Sequence, residues 1–396
     1  MKLLEYKQYN DDTGGKQLNK KKVGIASVCG GIILIFLIAL ILYISSANVR
    51  NFMDKYLLMK NVFENNLPSI SVDADEDLCV FAYSDYIATL ENNKLALYNT
   101  SAKEVENMKI NISNPVYSVK RNYLIIGEKN NNKVYLIKDK KILWEKEVEG
   151  KISRVNVNNN GYTSVIVSGT SYKSVIYTYS EDGTELFKTF LSNTVVTDVE
   201  ISNDNKNLSY CEMDLSGALI SNRVKTISIE NARKNPEYSI IHVYDIPINS
   251  LVVNLEYHEK NNLLCMCDNV IYNLKDGELI KLEDINNKIT FAGVKFANCY
   301  FKIVEDMYGI NHQNCNLEIY NTNNQNKNMY SINGVPKSVT SCEKVIAVNV
   351  GTDVYFVNDK GWLIKKYKSN REVKDVIVAN NIAGIIYRNK IEIVNL

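Results

Sequence analysis

Cysteine, histidine and aspartate are the residues of this chain whose types and spacing could do chemistry. Cys265 and Cys267 stand at alternate positions of an expected strand, so both thiols point one way, with His258 and Asp268 close by. Such a set could ligate a metal, but the spacing matches none of the zinc patterns, and two small apolar core residues are the expected reading. Asp73, Asp75 and Asp77 place carboxylates at the odd positions used by calcium loops. Leu78 stands where the turn glycine belongs and Ser84 where the bidentate glutamate belongs, so a solvated acidic turn is expected. The three histidines, His242, His258 and His312, lie far apart, and no Gly-x-Ser-x-Gly elbow accompanies them. Cys299 and Cys315 fall within one repeat unit, which leaves a disulfide between them open. The sequence assigns no catalytic residue, no metal site and no cofactor.

Charge supplies the remaining candidates. Arg223, Lys225, Arg233 and Lys234 stand against Glu230 alone, in a chain whose net charge is only +1. Tyr308 and His312 occupy a second, smaller interruption of the repeats. These six residues are the candidate binding set, on the expectation that 215–236 and 307–314 both join the second and third strands of their units and so rise on one face. The near-zero net charge argues against a nucleic-acid partner. An anionic envelope polymer or an acidic protein surface is the partner class that such a face would suit.

The elements that must position these residues begin with a membrane segment. Val23 to Ile44 is an uncharged, mostly apolar run behind a lysine cluster. As a helix it would be about 33 Å long, enough for a hydrocarbon core of about 30 Å. Lys2, Lys7, Lys16, Lys20, Lys21 and Lys22 precede it, so the positive-inside rule puts the N-terminus in the cytoplasm and the C-terminus outside. The run exceeds the about 7–15 residues of a cleaved signal peptide's apolar region, so a retained signal anchor is expected. Ala26, Ser27, Gly30 and Gly31 form small-xxx-small pairs through which two such helices could pack as a homodimer. Val49, Phe52, Met53, Tyr56, Leu57, Lys60 and Phe63 follow at helical spacing, predicting an amphipathic stalk that Pro68 ends. The expected domains are a basic cytoplasmic tail (1–22), the transmembrane helix (23–45), the stalk (46–68) and an extracytoplasmic domain (69–396).

From Leu78 onward short runs rich in Val, Ile and Tyr alternate with Asn, Asp and Gly turns, the mark of an all-β region. One strand pattern recurs eight times, from Leu95-Ala96-Leu97-Tyr98 through Ile241-His242-Val243-Tyr244 to Ile391-Glu392-Ile393-Val394. Its period of about 42 residues is that of four-stranded propeller blades. Asp-Gly type turns at 181–183, 275–277 and 359–361 separate the last two strands of several units. The expected fold is therefore an eight-bladed β-propeller, with seven blades as the alternative, preceded by one transmembrane helix. Three strands end the chain without a fourth, and Ser69-Ile70-Ser71-Val72 stands unpaired ahead of the first blade. That N-terminal strand is expected to complete the last blade and seal the ring.

The repeats with Leu143-Trp144 and Trp362-Leu363 resemble those of bacterial quinoprotein-like propellers. The layout of lysine-rich tail, single helix and repeats is similar to an uncharacterised family of membrane-anchored propellers in anaerobic Gram-positive bacteria. The resemblance implies a propeller over most of the chain. It does not extend to quinone chemistry, which uses adjacent cysteines and a tryptophan floor, since this chain has no Cys-Cys and only two tryptophans. The expected function is a binding or scaffolding module of the cell envelope. An enzyme acting on envelope polymer or peptide is the alternative, to be marked by carboxylates and histidines converging at the mouth of the channel.

Overall fold

A computed structural model describes residues 20–64, 67–72, 78–235, 238–286, 288–305 and 314–396. The chain forms two compact units that divide after Met59. Asp73, Asp75, Asp77, Tyr308 and His312 lie outside the described residues.

The first unit is helical. Helix α1 spans Lys20–Ser45. Ile32 to Ile38 are all exposed, and seven successive residues go round a helix almost twice, so apolar side chains face outward on every side. Gly30 and Gly31 have open space around them. Among the described residues no helix is long and apolar enough to cross a membrane; the backbone of α1 is described throughout, its side chains at 20–24, 26, 27 and 44 are not. Ser46 interrupts the helix in an extended conformation, and its side chain accepts a bond from the Val49 amide. Helix α2 follows over Ala47–Tyr56. The Tyr43 hydroxyl donates to Asp54 at 2.8 Å and Arg50 Nε donates to the Tyr43 carbonyl at 3.1 Å, which ties the end of α1 to α2.

The stalk helix expected to run to Pro68 stops at Tyr56. The amides of Leu57 and Leu58 both bond the Met53 carbonyl, and Met59 takes a left-handed φ of 47° that turns the chain out of the helix. Asn61–Phe63 then runs as a strand. Its residues keep apolar spacing, but a strand partner for their backbone wins over helical periodicity.

The second unit is an eight-bladed propeller, and seven blades are excluded. Each blade is a four-stranded antiparallel meander, and the seventh carries a fifth strand. The first strands of the blades are innermost: Cys79–Tyr83, Pro115–Lys120, Lys151–Val157, Val195–Ile201, Val252–Tyr257, Ile289–Phe296, Ser338–Ser341 and Asp375–Val378. Apolar side chains of adjacent sheets fill the space between them. Ile125, Val134 and Leu136 of the second blade share one core with Val155, Val165 and Val175 of the third. Each such side chain contributes about 1.5–3 kcal/mol on burial, and only stacking against a neighbour buries it. Gly183, Gly277 and Gly361 take the positive φ that their tight turns require.

Closure follows the expected route. Ser69–Ser71 pairs antiparallel with the final strand Lys390–Asn395, Ile70 opposite Ile391, and becomes the fourth strand of the eighth blade. Asn61–Phe63 adds in parallel to Leu363–Lys368, the outer strand of the seventh blade. Glu64 clamps that addition by accepting from Ser369 Oγ at 2.6 Å and pairing with Arg371 at 2.5 Å.

The fourth blade differs from the sequence reading. Seven of the eight repeated patterns are third strands, but Ile241–Tyr244 lies in the outer strand Ile240–Ile246, and the third strand is Ser221–Ser228. That strand escapes a hydropathy search because Arg223 and Lys225 occupy its outward positions while Val224, Thr226 and Ile227 are buried. A short helix, α3 (Ile229–Lys234), joins it to the outer strand.

Candidate functional site

The position second from the end of each inner strand forms a ring around the channel. In the eighth, first and second blades it holds Ile377, Ala82 and Val119. In the third to seventh it holds Asn156, Glu200, Glu256, Lys295 and Thr340. The channel therefore has an apolar side and, across from it, a polar and charged side.

Lys120 of the second blade forms an ion pair with Glu256 of the fifth, three blades away. This pair is a strut across the channel. It lines a cavity of 860 Å³ at the mouth formed by the turns between first and second strands. The cations facing this cup are Lys120, Arg121, Lys295 and Lys344. The carboxylates are Asp85, Glu256, Glu259 and Glu343, so the cup is close to neutral while carrying fixed charges of both signs. Its apolar side includes Phe81 and Tyr117, whose rings stack with centroids 4.4 Å apart.

Burial sets the protonation states. Glu200 is 2% exposed, and desolvation together with the neighbouring Glu256 pushes its carboxyl up to about 8, so it is protonated at neutral pH. The Asn156 amide donates to Glu200 Oε1 at 2.8 Å. Burial raises Glu256 as well, but Lys120 and Lys295 outweigh it and hold the carboxyl below its ordinary range. Glu256 Oε1 takes the Lys120 ammonium, and Oε2 accepts no hydrogen bond among the described residues. A charged pair this buried is stable only with both partners present.

Two carboxyl groups with opposed shifts invite an acid–base reading. Both would have to reach a substrate, and Glu200 does not line the cup. His258 does line it, but its Nε2 sits 2.9 Å from the Val294 carbonyl and its Nδ1 3.5 Å from Thr322 Oγ1, and burial lowers its pKa. It acts as a neutral link between the fifth and sixth blades. The arrangement can bind and orient a charged ligand.

Polar rungs stitch the third blade to the fourth on both sides of this ring. Arg154 pairs with Asp198 at 2.6 Å, and Asp198 also accepts from the Leu255 amide at 2.8 Å. The Asn158-Asn159-Asn160 run, compositional bias at first sight, bonds Ser202, Asn203 and Asn205 of the next blade.

The sequence-predicted set is dispersed. Arg223 and Lys225 lie on the third strand of the fourth blade and both pair with buried Glu212, at 3.4 and 2.8 Å. Arg233 and Lys234 lie on α3, where Lys234 pairs with Glu230 at 2.5 Å. In an antiparallel meander the connection between second and third strands and that between third and fourth leave opposite ends. The 215–220 connection joins the second and third strands of the fourth blade and α3 joins its third and fourth, so the expected insertion is divided between the two ends of the blade, with Arg233 and Lys234 at the end opposite that connection. Beside the Arg223–Lys225 pair a groove of 540 Å³ opens, bounded by Phe190 of the third blade.

Most of the propeller's cysteines are core residues. Cys265 and Cys267 share an apolar cluster with Cys211, their sulfurs 4.0 Å apart, and Cys267 together with burial holds the Cys265 thiol well above its ordinary range. Among the described residues no group of His, Cys, Asp or Glu could hold a metal ion. Cys299 stands opposite Asn321 and Cys315 opposite Glu305, at opposite ends of one ladder, and no disulfide joins them.

Residues 66–396 match the profile of DUF5711, a family of unknown function. The chain belongs to this family. A search of curated proteins finds no match to this DUF5711 protein. Among solved structures it is similar to the C-terminal WD40 domain of Sif2, at 14% identity over 84% of this chain and 99% of that one, with a TM-score of 0.54. Sqt1 of Chaetomium thermophilum is similar at 10% identity over 83% and 98%, with a TM-score of 0.51. BamB from Moraxella catarrhalis matches at 12% identity over 83% and 99%, with a TM-score of 0.46. At such identities the shared property of this DUF5711 protein with Sif2 and Sqt1 is the β-propeller, a fold typical of binding or scaffolding modules.

Proposed function

We propose that this protein is a single-pass membrane anchor carrying an extracytoplasmic propeller that binds a ligand or partner at the cell envelope. The observation that carries the reading is the exposure of apolar side chains on every side of α1, from Ile25 to Leu42. Water does not tolerate such a surface over that length, whereas lipid does. The sequence run from Val23 to Ile44 supplies the span and the preceding lysines supply the orientation. The propeller then offers a rigid body with a cup at one mouth, tethered to the bilayer by the chain that leaves α2.

The test is topology. In cells expressing the full chain with a C-terminal tag, the tag should sediment with membranes through an alkaline carbonate wash. External protease should remove it from intact, wall-stripped cells. A tag released by carbonate, or protected until the cells are lysed, contradicts the reading.

A further inference from the structure

We propose that α2 and the residues just after it lie at the surface of the bilayer as a second, interfacial contact, with Phe52, Tyr56, Leu57, Leu58 and Met59 set among lipid headgroups and upper acyl chains. This inference rests on the membrane-anchor reading and goes beyond it, because a spanning helix alone needs no such contact.

The direction of α2 comes from its bonds to α1. In one unbroken helix Tyr43 and Asp54 would stand about 16 Å apart along the axis, farther than the two side chains can bridge. The Tyr43 hydroxyl nevertheless donates to Asp54 at 2.8 Å, so the break at Ser46 folds α2 back beside the end of α1. Arg50 and Asp54 lie one turn apart on this inner side, and both are buried there. The charged side chains described on α2 are thus turned inward.

The outer side has the opposite character. Phe52 and Tyr56 each stand two residues beyond an inner residue, about 200° round the helix, and their rings meet with centroids 5.0 Å apart. Leu57 caps the helix, Leu58 and Met59 extend the surface, and all five side chains are at least half exposed. Large apolar groups clustered in this way are not left to water. Ile41 and Leu42 at the end of α1 are exposed as well, so lipid that surrounds the span also reaches the helix folded back beside it. An aromatic pair where a span leaves the hydrocarbon, on a helix whose charges turn inward, has the chemistry of the membrane interface. A span alone leaves the chain free to swivel; a helix laid on the surface fixes the direction in which it leaves.

Tryptophan fluorescence of the full chain in phosphatidylcholine vesicles tests the placement, with bromine on the upper or the lower part of the acyl chains as quencher. Phe52→Trp reports on α2, and Tyr56→Trp takes its place if that variant does not fold. Leu34→Trp, at an exposed position in the middle of the run from Val23 to Ile44, reports on the span. Trp144 and Trp362 lie in the propeller and form a background subtracted with the unsubstituted chain. Emission added on α2 should shift to shorter wavelength and be quenched more by upper than by lower bromine, whereas emission added at Leu34 should be quenched more by the lower. Quenching at Leu34 with none on α2, or quenching on α2 chiefly from the lower chain, overturns the proposal and leaves the anchor standing. Absence of quenching at Leu34 overturns the anchor itself, and the proposal with it.

Discussion

The channel and the fourth blade hold similar charged residues assembled in opposite ways. Lys120, Glu200, Glu256 and Lys295 come from four separate blades and meet where the ring converges. Arg223, Lys225, Arg233 and Lys234 come from one blade and diverge: two pair inward on Glu212 and two stand on α3. In the first region the low-dielectric surroundings magnify every interaction and shift protonation states; in the second, solvent screens much of the charge. Local density of charge along a propeller sequence is therefore a poor guide to where charge acts. The ring geometry decides it, because only the inner strands bring distant residues together.

The largest effect should come from breaking the channel strut. Lys120→Ala leaves Glu256 buried without its partner and should cost about 3–5 kcal/mol of stability, read from denaturant unfolding. On the fourth blade, Arg223→Ser with Lys225→Ser strands buried Glu212 and should cost about 1–3 kcal/mol, so these two substitutions are not silent surface changes. Arg233→Ser with Lys234→Ser should leave the unfolding midpoint unmoved, since the Lys234–Glu230 pair is fully exposed to solvent. A pair on α3 as costly as the pair on the third strand would erase the distinction drawn between the regions.

A pH series sharpens the same comparison. The Glu200 carboxyl is raised from 4.5 to about 8, so the native state binds a proton there that the unfolded state has released. Its stabilising contribution is complete below 4.5 and is lost as pH rises towards 8. Glu256, depressed instead, contributes in the opposite sense and at lower pH. The stability of the native chain relative to Glu200→Gln should fall from pH 5 to pH 8, roughly the interval between the two pKa values. A flat difference across that interval would place the Glu200 proton elsewhere.

Much of the propeller was legible in the sequence because each blade repeats its own local signals. The alternation of Val134 to Ile137 or Val354 to Val357 and the turn glycines at 183, 277 and 361 need no distant partner to be recognised. Ring closure was legible for a related reason: the last blade lacked a strand and Ser69 to Val72 lacked a sheet. The stalk was misread beyond Tyr56 because apolar spacing cannot reveal that Leu363–Lys368 offers an open edge to Asn61–Phe63. The third strand of the fourth blade was hidden by outward Arg223 and Lys225, whose charges are met by a glutamate on the neighbouring strand. The channel site was missed because its members are one per blade, at unequal intervals from Asn156 through Glu200 and Glu256 to Lys295. Aligning the ends of the inner strands with one another would have exposed them as one ring.

A double-mutant cycle on Lys120→Met and Glu256→Gln, measured by denaturant unfolding of the full chain in detergent, tests the convergent site most directly. A strut across the channel predicts a coupling energy of at least about 1 kcal/mol, with the double variant more stable than the sum of the single losses implies. Additive losses, with no coupling between residues of the second and fifth blades, would contradict it.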